Sequence, residues 1–175
     1  LEQFDTIAYL ELGNMRQVMA YNTLTNHKVI ELLAGYTPLL VGTIPIGIDI
    51  EGSDLDILCY CHDKETFINT LKNSFSGKKG FILKDYILND IPTVKTNFYI
   101  DGFEVEVFGQ NIPVKEQYGY RHMIIEYKIL ENKGPEFRNE IIRLKEQGVK
   151  TEPAFAQLLG LGGNPYEALL DYKTG

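Results

Sequence analysis

The chain has 175 residues, 44% of them hydrophobic and 23% charged, enough for one ordinary domain with a continuous core. No apolar run approaches the roughly 18 residues that span a bilayer, and the first stretch carries Glu2, Asp5 and Glu11 where a secretory signal is basic and then apolar; a cytoplasmic protein without a membrane partner is expected. Seventeen Lys and Arg against 24 Asp and Glu leave a net charge of −7, which argues against general nucleic-acid binding but leaves room for a small phosphorylated substrate held by a local patch or a metal ion.

The first part of the chain, residues 1–35, reads as helical packing material. Asn14 is placed to cap a segment in which Met15, Val18, Met19 and Leu24 recur at helical spacing. Val29, Ile30, Leu32 and Leu33 continue that pattern, and Gly35, followed by Pro38, reads as its stop. Residues 39–110 read as a sheet core. Leu39-Leu40-Val41 is a short apolar run, a loop with Pro45, Gly47 and Gly52 follows, and Asp54 to Tyr60 alternates as a strand. Asp63 is a helix cap for a segment to about Asn73, and Ser76 to Gly80 is a turn. Phe81 to Leu88 is a strand, and Val94 to Ile100 and Phe103 to Phe108 flank Asp101-Gly102, a hairpin signal because both residues accept positive φ.

Residues 113–175 read as helices. Tyr120, Met123, Ile124, Tyr127 and Leu130 form an apolar stripe; Gly134-Pro135 divides it from a second helix; Thr151 is expected to cap a third and Asn164 a fourth. The order of helices, a mixed sheet and helices again is an α+β arrangement in a single domain. Cys59 and Cys61 leave a strand in the same direction, a poor geometry for a disulfide, and read as core cysteines.

The chemistry concentrates in Val41-Gly42-Thr43, ten intervening residues, and Asp54-Leu55-Asp56-Ile57. Alternate residues of a strand share a face, so Asp54 and Asp56 project together while Leu55 and Ile57 point into the core. Paired carboxylates repel unless a cation lies between them, and all-oxygen donors suit a hard ion such as Mg2+, or Mn2+. A two-metal phosphoryl-transfer site needs a third acid from a neighbouring strand. In the hairpin's second arm Glu104 and Glu106 share one face; Glu106, deeper and flanked by valines, is the preferred third ligand, with Glu104 in reserve.

Gly42-Thr43, the gap, Asp54-Leu55-Asp56 and the later acidic strand residue resemble the signature of the polymerase-β nucleotidyltransferase superfamily. Longer stretches resemble a small bacterial family of unknown function assigned to it: residues 42–47, 52–56, 106–110, 120–123 and 150–156. The resemblance implies a nucleotidyltransferase-like mixed sheet flanked by helices. It also implies divalent metal at Asp54, Asp56 and Glu106, and transfer of a nucleoside monophosphate from a nucleoside triphosphate to a small-molecule or protein acceptor. Gly42 and Thr43, with Ser53, would meet the triphosphate. Position 43 is Thr where Ser or Gly is usual, and the third acid is Glu where Asp is usual.

Other readings stand beside this one. The acids from Asp49 to Asp56 do not fall at the offsets of a calcium-binding EF-hand loop. Gln117 and Arg121, one helical turn apart, are either phosphate- or acceptor-binding residues or a solvated helix face. His122 reads as a packing residue more readily than as a general base, His27 and His62 have no constellation around them, and Gly160 to Gly163 is a turn. On the same fold the chain could instead be a catalytically silent nucleotide- or partner-binding module, or, third, a metal-dependent phosphohydrolase.

Overall fold

The structure, a computed structural model, describes residues 1–173. Two short 3-10 turns, Glu2–Asp5 and Ala8–Leu12, bury Phe4 and Leu10 before the first α-helix, α1 (Met15–Asn26). Its start is a reciprocal cap, with the Asn14 side chain accepting from the Gln17 amide and the Gln17 side chain accepting from the Asn14 amide. The apolar run expected to continue to Gly35 is broken instead at Lys28, whose φ of 53° is left-handed. The break gives a separate turn α2 (Val29–Leu32), and Gly35 falls inside a 3-10 turn rather than ending a helix. The physical reason is packing: Leu24 and Val29 enter the same core cluster, whereas an unbroken helix would set them about 140° apart.

Five strands follow: β1 (Leu39–Val41), β2 (Leu55–Tyr60), β3 (Lys79–Leu88), β4 (Ile91–Ile100) and β5 (Phe103–Gln110), with α3 (Lys64–Phe75) between β2 and β3. Asp63 caps α3 by accepting from the Thr66 amide at 2.7 Å. The sheet order is β1-β2-β5-β4-β3, antiparallel at every seam except β2–β5, which is parallel. Asp101 and Gly102 both take positive φ at the β4–β5 turn as expected. Asn89 and Asp90 do the same at the β3–β4 turn, so β4 begins at Ile91, earlier than the apolar pattern implied.

Four helices close the chain: α4 (Tyr118–Lys133), α5 (Pro135–Glu146), α6 (Thr151–Leu159) and α7 (Pro165–Leu170). Asn164 caps α7 through the Tyr166 amide, but Thr151 is the first helical residue of α6, with Lys150 in the cap position and no side-chain cap bond. The last two residues of the helical segment expected to reach 175 lie outside the described residues. No helix among the described residues is long and apolar enough to cross a membrane.

The sheet separates two apolar clusters. Leu55, Ile57, Cys59, Val105 and Val107 face α1 and α3, with Phe75 stacked on Phe98 at 4.6 Å. Leu39, Val41 and Leu58 face the opposite way, against Tyr120, Met123, Ile141 and Phe155. Both cysteines are free and buried.

The β1–β2 connection is tied to both halves of the molecule. Ile44 is buried in the first cluster, Ile46 and Ile48 in the second. Its carbonyls are met one after another by side chains of distant helices: Gln17 Nε2 donates to Ile44 O at 2.9 Å and Pro45 O at 3.2 Å, Arg138 Nη1 donates to Ile46 O, and Lys145 Nζ donates to Ile48 O at 2.6 Å. A buried carbonyl deprived of its donor costs about 1–3 kcal/mol. Gln17→Met would leave Pro45 O without a donor while Ile44 O keeps the Gly47 amide, and should lower unfolding free energy by about 1 kcal/mol, read as a lower urea midpoint at unchanged m-value.

Candidate metal centre

Three pieces of local structure bring the acids together. β2 and β5 run parallel in a register that makes Asp56 and Glu106 direct partners. Asp54 lies one residue ahead of β2, where the clamped loop delivers the chain to the sheet. Carboxylate oxygens of Asp54, Asp56 and Glu106 all lie within 4.8 Å of one another. Oxygens bound to one Mg2+ at about 2.1 Å lie at most about 4.2 Å apart, and two ions about 3.5–4 Å apart spread their donors further. The all-carboxylate donor set and its spacing thus fit a hard divalent cation.

Gly42 ends β1 beside this group, and Val41 pairs with Asp56 across the β1–β2 seam. Its φ is +86°, and a Cβ there would sit 2.5 Å from Asp56 Oδ2. Only glycine lets the loop turn and leaves Asp56 its place. Thr43 and Ser53, at the two ends of the loop, are joined by a hydroxyl contact of 3.4 Å, and Ser53 Oγ accepts from the Ile50 amide at 2.9 Å. Ser53 O accepts from Arg16 Nη2 at 3.0 Å, while the Arg16 guanidinium lies 4.2 Å over the Phe103 ring. The residues expected at the site therefore line the space around the acids, except for Arg121.

Gln117 and Arg121 are separated. Gln117 is buried and precedes α4; its Nε2 donates to Cys59 O and Ile112 O, both at 2.9 Å, and its Oε1 has no partner. Arg121 is exposed, with its guanidinium 5.7 Å from the centre of the Tyr118 ring, and does not line the cavity over the acids. Glu104 lies on the face of Glu106 but is held by Asn97 Nδ2 at 2.9 Å and Tyr99 Oη at 3.1 Å, apart from the close group. His122 Nε2 donates to Tyr166 O at 2.9 Å, in keeping with a packing role.

Lys95 was not anticipated. Its Nζ lies 2.5 Å from Glu106 Oε2, which also accepts from Asn97 Nδ2 at 3.3 Å. Lys95 sits on β4, two residues before Asn97, the partner of Glu106; the strand's alternation could have indicated the shared face, but only the pairing register shows the reach. Burial opposes the charged form of Lys95, but the Glu106 bond and charge outweigh it and raise its pKa.

Electrostatically the acids are strained. Burial, then the Asp54 and Glu106 charges, push Asp56 up to about 8. Asp54 is also raised, chiefly by burial, against a backbone hydrogen bond that lowers it. Above them lies a cavity of about 440 Å3 that reaches from Gly42 and the three acids along α4 to Glu126 and, on α6, Glu152. A shallower trough shares Thr43, Asp54 and Glu152 and adds Ser53, Lys145 and Lys150.

A family model described as a domain of unknown function (DUF4269) matches residues 22–172, and the chain belongs to that family. No curated protein sequence matches the chain. Among solved structures it is similar to the Cid1 poly(U) polymerase bound to MgGTP, at TM-score 0.50 and 12% identity over 70% of this chain and 39% of that one. It is also similar to Cid1 bound to Mg 3′-dATP, at 0.52 and 12% over 88% and 46%. GLD-2 in its complex with RNP-8 matches at 0.50 and 16% over 88% and 57%. The chain thus spans less than two thirds of each of these proteins, and at such identity the likeness speaks for the fold, a nucleotidyltransferase-like one.

The raised pKa of Asp56 has a direct consequence for the metal-free protein. Between its unfolded value of 3.8 and about 8 the folded state holds a proton that the unfolded state has released, so this contribution to stability is full below 3.8 and is lost as pH rises through about 8. Asp56→Asn should remove that loss and raise the metal-free melting temperature at pH 8 more than at pH 5, measured by calorimetry in chelator.

Proposed function

We propose that the chain is a nucleotidyltransferase dependent on Mg2+ or Mn2+, moving a nucleoside monophosphate from a nucleoside triphosphate to a small-molecule or protein acceptor. The observation that carries this reading is the convergence of Asp54, Asp56 and Glu106 beside a glycine that has no room for a side chain. Asp54, Asp56 and Glu106 would hold the cation. When bound it would neutralise triphosphate charge and favour the attacking oxygen as its anion. Gly42 and Thr43 turn the backbone past the acids, where an N–H and a hydroxyl can meet phosphate oxygens. Lys95 and Asn97 fix Glu106 so that its carboxylate faces the Asp pair.

Neighbours of the same fold are by name RNA-tailing enzymes. For this chain the net charge of −7 supports a small or protein acceptor over a long polyanion. A second reading, a silent nucleotide- or partner-binding module, draws on Lys95, since an ammonium at 2.5 Å can neutralise Glu106 in place of metal.

Mn2+ or Mg2+ together with one of the four nucleoside triphosphates should raise the melting temperature, and Asp54→Asn with Asp56→Asn should abolish the rise. No metal-dependent rise with any triphosphate would sink the enzyme reading. A rise without pyrophosphate release in the presence of candidate acceptors would favour the silent module.

A further inference from the structure

The cavity over the acids is lined by six carboxyl residues, Asp54, Asp56, Glu106, Glu116, Glu126 and Glu152, and by no Lys or Arg. Three of the six form the close group; of the others, Glu116 lies in a 3-10 turn before α4, Glu126 on α4 and Glu152 at the start of α6. Glu126 is the informative one. It is 3% exposed, and among the described residues no hydrogen bond or ion pair holds its carboxyl. Lys145, the nearest cation to act on it, spends its ammonium on the Ile48 carbonyl at 2.6 Å. A buried carboxyl without a partner is costly, and such groups in native proteins call for an explanation. Burial, then the Glu152 charge, pushes Glu126 well above the ordinary carboxylate range, so that without a counter-charge it gives up its ionisation, and it lines the cavity. Gln117 adds a second unmet acceptor: its amide nitrogen is bound twice, its Oε1 is buried and unpaired, and it lines the same space.

The cavity's lining thus holds an unmet oxygen acceptor and six carboxyl residues with no Lys or Arg among them to balance their ionisation. We propose that the part of the cavity at Glu126 and Glu152 binds a protonated amine of the acceptor, so that the acceptor is an amine-bearing small molecule, with Gln117 at the start of α4 offering an acceptor to another of its donors. This rests on the nucleotidyltransferase reading for the word acceptor; the binding of the amine does not. A neutral donor, such as a hydroxyl or a nucleobase amino group, would satisfy Gln117 but leave the carboxylates uncompensated, whereas an ammonium brings both hydrogen bonds and counter-charge.

Calorimetric titration of the metal-free protein, without triphosphate, tests this with two matched pairs: 1,4-diaminobutane against 1,4-butanediol, and glucosamine against glucose. At least one amine should bind where its neutral counterpart does not. Binding should persist in the Asp54→Asn, Asp56→Asn protein and weaken by about tenfold or more in Glu126→Gln with Glu152→Gln. Glu152→Gln alone, at a half-buried position, should give a smaller loss in the same direction and guards against misfolding of the double variant. Neutral compounds binding as well as the amines, neither amine binding, or loss on removing the Asp pair but not the Glu pair would each overturn the proposal; the last would mean that the amine stands in for metal. Because no metal or triphosphate is present, failure here is separate from failure of nucleotidyl transfer.

Discussion

The constraint on which the site depends is the anchoring of the β1–β2 connection. Gly42 and Asp54 are at its two ends, and their relative position is worth nothing chemically unless the residues between them are held. A loop of this length, with Pro45, Gly47 and Gly52, would otherwise sample many conformations. Here isoleucines at alternate positions, Ile44, Ile46 and Ile48, are buried in opposite clusters. Their own carbonyls are satisfied by Gln17 from α1 and by Arg138 and Lys145 from α5. Helices from both ends of the chain therefore converge on one loop. The N-terminal helix, which reads as packing material, does double service: the Gln17 amide that completes the cap of α1 also donates to the loop.

The second organising feature is the parallel seam between β2 and β5 in a sheet otherwise antiparallel. It places Asp56 beside Glu106 while Leu55 and Val105 face the core behind them. The arrangement is unfavourable to the empty protein, because burial and mutual repulsion oppose the charge of Asp56. Lys95 relieves part of it at Glu106. The firm anchoring of the loop keeps this group of mutually repelling acids from spreading apart.

Much of this was legible in the sequence, and the parts that were not share a cause. Alternation along the strands put Asp54 with Asp56 and Glu104 with Glu106, and the Asp101-Gly102 turn set the hairpin, because these signals are local. What escaped was set by pairing partners. Lys95 belongs to the site only through the β4–β5 register. Lys28 breaks a helix that periodicity alone would continue, since Leu24 and Val29 must enter one core. Gln117 and Arg121 look like a pair at helical spacing. Yet Gln117 lies before the helix and ties it to the end of β2, while Arg121 turns to Tyr118 and solvent. The loop's carbonyl clamps were equally hidden, because a side chain's reach to backbone 90 or more residues away leaves no trace in spacing.

The distribution of charge around the acids carries the argument one step further. A site that handled only a triphosphate would be expected to surround its metal with free cations, yet Lys95 is bound to Glu106, the Lys145 ammonium is held by the Ile48 carbonyl, and the main cavity has six carboxyl residues and no Lys or Arg in its lining. Carboxyl groups beyond the three acids, at Glu116, Glu126 and Glu152, would disfavour a triphosphate along that wall of the cavity. On the proposed function, the same residues that attract an amine would also keep the phosphates out of the acceptor's place. Orientation of two substrates then follows from where the charges lie, with no need for a moving lid to sort them.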